Sequence, residues 1–192
     1  MAAEHQGIEP LILLNKQDLL EPTNAQTIEA LLSIYPDIGY RVLRTSTKRD
    51  AGLLPLQHSL DGHTSVFVGQ SGVGKSSLVN ALPGTNTRVG EMSAATGKGR
   101  HTTTTAKLFH MPCGGDLIDS PGIRDFGLSH LDRDSIAQGF VEFRPYLGAC
   151  KFRDCKHRAD PGCALVEAVA NGAISQRRFD SYHHQVESLE HT

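Results

Sequence analysis

Eight residues in the first half of the chain could hold phosphate groups. They read Gly-Gln-Ser-Gly-Val-Gly-Lys-Ser and fit the pattern G-x-x-x-x-G-K-S/T. Glycines suit such a loop because its backbone N–H groups must turn inward around the phosphates, where a Cβ would obstruct the turn. The Lys75 side chain would reach the β- and γ-phosphates, and the Ser76 hydroxyl would ligate Mg²⁺. A chance glycine-rich turn is the alternative. The predicted contacts are Gly69, Gln70, Ser71, Gly72, Val73, Gly74, Lys75, Ser76 and Ser77.

A second motif could select the base of a nucleotide. Asn15, Lys16, Gln17 and Asp18 follow a short apolar run and fit the pattern N-K-x-D. The Asp18 carboxylate could accept hydrogen bonds from the N1–H and N2–H₂ groups of guanine, a donor pair that adenine lacks. Asn15 would fix the base edge, and the stem of Lys16 would cover the ring. Alone the motif could be a polar turn, but beside a phosphate loop it predicts a guanine nucleotide.

A third motif, Asp-Ser-Pro-Gly, could contribute to a metal and phosphate site. Asp119 would hold Mg²⁺ through a water, and the N–H of Gly122 would touch the γ-phosphate. By itself this pattern is also an ordinary turn.

Three cysteines and one histidine fall within fourteen residues near the C-terminus, at Cys150, Cys155, His157 and Cys163. Three thiolates and an imidazole form the closed tetrahedral set of a structural Zn²⁺, with no ligand position left for water. We therefore predict one zinc ion that stabilises the tail and performs no chemistry. Buried free thiols are the alternative. Cys113 lies outside the set.

The elements that position these motifs predict an α/β fold. Apolar or β-prone runs predict strands at residues 8–14, 40–45, 64–68, 107–110 and 115–119, the first of them buried on both faces. A helix begins with Thr23 as its N-cap and stops at Pro36, and further helices are expected at residues 76–82, 164–170 and 176–189, with Gly172 as a stop. Residues 89–105 predict a loop. We expect residues 1–131 to form a P-loop domain and residues 132–192 a small helical zinc-binding domain.

Composition restricts the function classes. The chain has 192 residues, with 19 Lys+Arg against 21 Asp+Glu, which excludes collagen-like, coiled-coil and strongly disordered proteins. Without a long apolar run or a signal peptide, we expect a soluble, cytoplasmic protein with no membrane partner. The near-neutral charge argues against nucleic-acid binding through bulk charge. Five basic residues against two acidic ones surround the zinc motif, however, and form either an RNA-binding patch or an ordinary solvated surface. They are Arg144, Lys151, Arg153, Lys156 and Arg158 against Glu142 and Asp154.

The motif order resembles a known family. The guanine motif precedes the phosphate loop and the Asp-Ser-Pro-Gly motif, which is a circular permutation of the Ras-like order, and residues 99–104 read Gly-Arg-His-Thr-Thr-Thr. Together with the Cys/His tail, this is similar to the RsgA (YjeQ) family of small ribosomal subunit biogenesis GTPases. The resemblance implies a monomeric GTPase that acts in late maturation of the 30S subunit, contacts 16S rRNA, and hydrolyses GTP when the ribosome stimulates it.

The resemblance also implies roles for individual residues. Thr45, Ser46 and Thr47 belong to the loop whose backbone contacts the guanine oxygen. One of three switch threonines, with Thr103 as the candidate, would join Mg²⁺ in the GTP state. Ile123 stands where Ras-like enzymes have the glutamine that orients water, so His101 becomes the candidate for that task. A solvent-exposed loop histidine is the alternative.

The chain departs from the family at its start. The family's N-terminal OB-fold and one further strand of the sheet do not precede the guanine motif here. We therefore expect a fragment with impaired ribosome affinity. The alternative function is a non-enzymatic, GDP/GTP-gated RNA or ribosome docking module whose hydrolysis is negligible in this form.

Overall fold

The computed structural model describes residues 2–82, 89–91, 107–112, 114–119, 131–158 and 160–190. The chain divides into two compact units. The sheet unit comprises Leu11–Leu31 and Arg41–Phe126, and the helical unit comprises Met1–Pro10, Leu32–Tyr40 and Gly127–Thr192. The expected domain boundary after residue 131 stays a prediction. In the described ranges, no helix combines the length and hydropathy that a membrane span requires.

The sheet unit contains six described strands in two sheets. Strands β1 (Leu11–Leu14) and β2 (Arg41–Arg44) pair in parallel, with Leu11 opposite Arg41. The second sheet has the order β3-β6-β5-β4, in which β3 and β6 are parallel and β5 is antiparallel to both its neighbours. These four strands are β3 (Thr64–Val66), β4 (Val89–Glu91), β5 (Lys107–His110) and β6 (Asp116–Asp119).

The structure confirms the five predicted strands and corrects three details. Strand β1 begins only after Pro10, because proline has no N–H for a sheet ladder. The strand is half-buried along its length, and the prediction that both its faces are buried was wrong. Strand β4 lies inside the segment predicted as a loop, because Val89 pairs with Phe109 and Glu91 with Lys107.

The sheet unit contains the helices α3 (Leu54–Leu60) and α4 (Lys75–Ala81). Helix α2 (Pro22–Asp37) begins in the sheet unit and ends in the helical unit. Thr23 is not the N-cap of α2, since the helix begins at Pro22, a residue suited to the first helical position. The N–H of Glu21 instead donates to Asn24 Oδ1 at 3.1 Å. The helix was predicted to stop at Pro36, but it includes Pro36 in its last turn and ends at Asp37.

The core of the sheet unit holds the carboxyl ends of the strands in place. Its buried residues come chiefly from α3, α4 and β6, with Leu56 and Leu117 completely inaccessible. Leu11 and Leu13 of β1, the strand before the guanine motif, and Leu43 of β2 pack against this cluster. The buried members are Leu56, Leu60, Leu78, Val79, Leu82, Met111 and Leu117.

The helical unit has an aromatic core. The helices of this unit are α1 (Ala2–His5), α5 (Arg133–Gln138), a 3₁₀ helix (Val141–Tyr146), α6 (Ala164–Ala170) and α7 (Gln176–Glu190). The ring of Phe143 stacks on Phe140 with centroids 4.9 Å apart and meets Tyr182 edge-on at 5.4 Å. The C-terminal helices α6 and α7 confirm the predicted helices, and Gly172, with φ +80°, follows the end of α6 as expected.

A buried ion pair crosses this core. Arg178 donates from Nε to Glu142 Oε1 at 2.5 Å, and the two side chains are only 15% and 5% exposed. The guanidinium also lies 4.5 Å from the ring centroid of Phe140. Such a pair depends on both partners, because either charge alone would be buried without compensation.

Candidate functional site

The phosphate loop connects β3 to α4 and has the conformation that its glycines permit. Gly69, Gly72 and Gly74 have φ values of +148°, +84° and +98°, a region that side chains with a Cβ rarely occupy. Lys75 Nζ donates to the carbonyl oxygens of Gly69 at 2.5 Å and Gln70 at 2.8 Å. The ammonium group is therefore held against the backbone of its own loop, next to the N–H groups that a phosphate would approach.

The guanine motif follows β1, and a buried hydroxyl orients its carboxylate. A short 3₁₀ helix (Gln17–Leu19) carries Asp18, and Ser46 Oγ donates to Asp18 Oδ1 at 2.5 Å. Ser46 is 1% exposed, and its Oγ accepts from the N–H of Lys48 at 3.1 Å. The hydrogen bond from Ser46 holds the pKa of Asp18 below its ordinary value. Asp18 consequently remains an ionised acceptor, which is the state that guanine recognition requires.

Direct contacts join the guanine motif to the phosphate loop. Asn15 Nδ2 donates to the carbonyl of Val73 at 3.0 Å, and Lys16 Nζ donates to the carbonyl of Gly72 at 2.6 Å. A Cβ placed on Gly74 would lie 2.4 Å from Asn15 Nδ2, so only glycine permits this approach. Two motifs more than fifty residues apart in the chain therefore form one continuous surface.

The structure adds two supporting contacts: a side-chain contact of Thr45, which was predicted only as part of the loop at the guanine oxygen, and a contact of Gly52, which was not predicted. Thr45 is completely buried, and its hydroxyl donates to Asn15 Oδ1 at 3.2 Å, which orients the amide toward the phosphate loop. Gly52 accepts from the N–H of Ser46 at 3.4 Å, and a Cβ on it would lie 2.4 Å from the Ser46 carbonyl. The position of Thr45 at the end of β2, beside the end of β1, was a usable signal. Nothing in the sequence distinguished Gly52 from other loop glycines.

Ser46 was predicted for a backbone contact to guanine, and the structure adds its side-chain contact to Asp18. Asp119 ends β6, which runs parallel to β3, so its carboxylate lies at the edge of the sheet from which the phosphate loop departs. His101, Thr103, Gly122 and Ile123 lie outside the described residues.

The predicted zinc ligands converge in the helical unit. The ligand atoms of Cys150, Cys155, His157 and Cys163 all lie within 4.8 Å of one another. His157 Nδ1 is 3.5, 3.5 and 3.4 Å from the three sulfurs, and the sulfurs of Cys150 and Cys163 are 4.0 Å apart. Tetrahedral zinc, with bonds of about 2.3 Å to sulfur and about 2.0 Å to nitrogen, implies separations of about 3.5 and 3.8 Å. The cluster therefore fits a zinc site, with Nδ1 as the histidine ligand.

The backbone around the cluster is tightly turned. His157 has φ +56°, and the N–H of Lys151 donates to the carbonyl of Gly162 at 2.9 Å, which closes the loop that carries the ligands. Burial lowers the pKa of His157 and raises that of the Cys155 thiol to about 12. Burial thus favours the neutral imidazole that binds a metal, while the Cys155 thiol needs a cation such as Zn²⁺ to replace its proton.

The surface beside the cluster is basic, with one exception to the predicted patch. Arg144 donates to Glu4 at 2.8 Å and is therefore not available as a separate positive charge. Lys151, Arg153 and Lys156 are exposed, and Lys151 Nζ lies 5.5 Å from the ring centroid of Phe152, which is 48% exposed.

The fold and the motif order define the class of protein. A P-loop sheet in which the guanine motif precedes the phosphate loop is a circularly permuted GTPase fold. Among solved structures, YloQ, described as a circularly permuted GTPase, is 33% identical, with a TM-score of 0.74 over 95% of this chain and 57% of that one. YjeQ from Thermotoga maritima is 34% identical, with a TM-score of 0.79 over 97% of this chain and 62% of that one.

The chain belongs to the RsgA GTPase family, whose model matches residues 1–129. A small ribosomal subunit biogenesis GTPase RsgA from Pseudomonas aeruginosa (strain UCBPP-PA14) is 58% identical over the whole chain. The protein of the same name from Azotobacter vinelandii is 58% identical over 98% of the chain. The chain spans 57% and 55% of the lengths of these two relatives.

Proposed function

We propose that this chain binds guanine nucleotides and hydrolyses GTP to GDP and phosphate in the maturation of the small ribosomal subunit. The observation that carries the proposal is the direct junction of the guanine motif and the phosphate loop, through Asn15 to Val73 and Lys16 to Gly72. A nucleotide needs a base site and a phosphate site at a fixed separation, and the hydrogen bonds between the two motifs fix that separation. The name of the relatives, small ribosomal subunit biogenesis GTPase, supports the biological setting.

Each nucleotide contact has a physical basis. The ionised Asp18 would accept from guanine N1–H and N2–H₂, while the backbone of Ser46 and Thr47 would meet the guanine oxygen. Loop N–H groups and Lys75 would hold the phosphates. Adenine would leave Asp18 without donors in a site that the buried Ser46 hydroxyl keeps rigid, so selectivity for guanine follows from this chain's own geometry.

Hydrolysis would require an ordered water at the γ-phosphate. Mg²⁺, held by the Ser76 hydroxyl, by Asp119 through water and by Thr103, would neutralise charge on the phosphates. The Gly122 N–H would contact the γ-phosphate, and His101 would position the attacking water. Because Ile123 cannot orient water, we expect slow intrinsic turnover that accelerates when a partner orders the switch.

The ribosomal partner would be the 30S subunit with its 16S rRNA, bound by a monomer in the cytoplasm. The helical unit offers Lys151, Arg153 and Lys156 around the exposed Phe152, a combination of cations and an aromatic ring that suits RNA. The cluster of Cys150, Cys155, His157 and Cys163 would hold one structural zinc ion that keeps this surface folded.

GTP turnover with and without 30S subunits tests the proposal, because it examines substrate, partner and catalytic competence together. We expect slow turnover alone, acceleration by 30S subunits, and loss of that acceleration in His101→Ala. Asp18→Asn should weaken GDP binding in calorimetry. Equal binding of ADP and GDP by the wild-type protein would refute the guanine assignment.

A non-enzymatic docking module is the second candidate, and the apolar Ile123 in the place of a water-orienting glutamine favours it. In that case GDP and GTP would alter 30S binding, while turnover would stay at the uncatalysed level with and without subunits. Equal subunit binding in the two nucleotide states would exclude this candidate.

A further inference from the structure

A cavity of about 320 Å³ lies beside the zinc-ligand cluster in the helical unit. It is lined by residues of α5 and of the segment from Leu147 to His157, which includes three members of the Cys/His cluster. Its volume is at the small end of the range for organic ligands. It would accommodate one planar heterocycle rather than a whole nucleotide. The residues that line the cavity include Asp134, Gln138, Leu147, Phe152, Arg153 and His157.

The Phe152 side chain gives this cavity an aromatic wall. A phenylalanine ring that is 48% exposed leaves a large apolar area in water. Three exposed cations, Lys151, Arg153 and Lys156, surround it in sequence, and the Lys151 ammonium lies 5.5 Å from the ring centroid. Alternation of a stacking ring with cations is the pattern by which proteins hold single-stranded nucleic acid, with the base on the ring and the phosphates on the cations.

Helix α5 supplies the acceptors for a base edge. Asp134 and Gln138 are four residues apart on α5 and therefore lie on the same helix face, where both line the cavity. A carboxylate there would repel a phosphate but would accept the N1–H and N2–H₂ groups of guanine. Adenine and the pyrimidines do not present that donor pair. The cavity thus combines a stacking ring, an acceptor for guanine, and cations at its rim.

We propose that this cavity binds one unpaired guanine base of single-stranded RNA, stacked on Phe152 and hydrogen-bonded to Asp134. Arg153 and Lys156 contact the adjoining phosphates. The inference rests on the proposed function in one respect, namely that the partner is RNA. It adds a base-specific site in the helical unit, separate from the nucleotide site of the sheet unit.

Fluorescence anisotropy with labelled RNA heptamers tests the inference. Zinc-loaded protein saturated with GDP, which occupies the nucleotide site, is titrated with uridine heptamers that carry guanine, adenine or uracil at the centre. We expect the guanine heptamer to bind about fivefold or more tightly than the others, as one bidentate base contact would produce. Phe152→Ala should weaken its binding by about fivefold to a hundredfold, the range for loss of one stacked base. Asp134→Asn should abolish the guanine preference.

Matched controls separate the cavity from general charge effects. Asp180→Asn makes the same charge change on α7 and should keep the guanine preference. Zinc content and GDP affinity should remain unchanged in Phe152→Ala, Asp134→Asn and Asp180→Asn.

The outcomes separate the two proposals. Equal affinity for all three heptamers, no heptamer binding, or a guanine preference that survives in Asp134→Asn would overturn the cavity assignment. None of these results depends on GTP turnover with 30S subunits, which is the separate test of the proposed function.

Discussion

Substituting Gly74 with alanine should weaken GDP binding, because the loop of the free variant relaxes and GDP has to restore the conformation seen here. The geometry gives the size of this effect. At φ +98° an alanine costs about 1–2 kcal/mol of backbone strain. Its Cβ would also lie 2.4 Å from Asn15 Nδ2, so the amide must leave and lose its hydrogen bonds with Val73 and Thr45. At roughly 1 kcal/mol for each bond, the total is about 3–4 kcal/mol, or on the order of a hundredfold to a thousandfold in affinity.

Gly72→Ala is the matched control. Gly72 has φ +84°, but a Cβ there would meet nothing within 4 Å. It should therefore lose only the strain component, about fivefold to thirtyfold in affinity. Fluorescence titration with a labelled GDP measures both variants.

A double-mutant cycle with Asn15→Ala tests the cause. Without the Asn15 amide there is nothing for the new Cβ to displace, so Gly74→Ala should then cost only about 1–2 kcal/mol, leaving a coupling of about 2 kcal/mol. The reasoning is refuted if Gly74→Ala costs no more than Gly72→Ala, or if its penalty is the same with and without Asn15.

Three further predictions concern the metal cluster, the guanine carboxylate and the buried ion pair. Cys163 is 1% exposed, and Cys163→Ser should reduce bound zinc below one equivalent. The near-ultraviolet circular dichroism of the packed tyrosines should disappear as well, because zinc binding contributes about 10–16 kcal/mol in comparable sites. One retained equivalent of zinc with unchanged spectra would contradict this prediction. Ser46→Ala should move the acid limb of GDP binding to higher pH. The hydrogen bond from Ser46 favours the ionised form of Asp18 and so lowers its pKa. The stabilisation from this bond is therefore complete above the ordinary aspartate pKa of about 3.9 and is lost as pH falls through the lower pKa of the folded protein. Acid limbs that coincide in the two proteins would argue against this role of Ser46. Arg178→Met should destabilise the helical unit by about 3–5 kcal/mol in urea unfolding followed by tyrosine fluorescence, and adding Glu142→Leu should restore most of that loss; a double variant as unstable as the single one would show that the charge left behind is not the cause.

Most strands and helices were predictable because their signals are local. The apolar residues of β1 and β6 and the helical spacing of α7 depend only on near neighbours in the chain. Strand β4 was missed because a three-residue strand carries too little pattern of its own, and its pairing with β5 defines it. The start of α2 was misplaced because Thr23 and Pro22 are both favourable near a helix start, and sequence preference does not rank them.

The candidate site shows the same division. Asp18, Lys75 and the four residues of the Cys/His cluster could be proposed from the sequence because each belongs to a motif with fixed spacing. The buried hydroxyls of Thr45 and Ser46 act on residues about thirty positions away, and no local pattern announces such contacts. The cavity between α5 and Phe152 is also formed by segments that are distant in sequence.

The sequence by itself predicted the types of chemistry available: a loop for phosphates, a carboxylate for guanine, and three thiols with an imidazole for zinc. It could do so because spacing within a loop or helix constrains which atoms can act together. Only the tertiary structure decided that Asn15 and Lys16 donate hydrogen bonds to the phosphate loop, that Ser46 donates a hydrogen bond to Asp18, and that Arg144 pairs with Glu4. Those outcomes depend on how parallel strands bring their carboxyl ends together and how helices bury charge, and both follow from packing between distant segments.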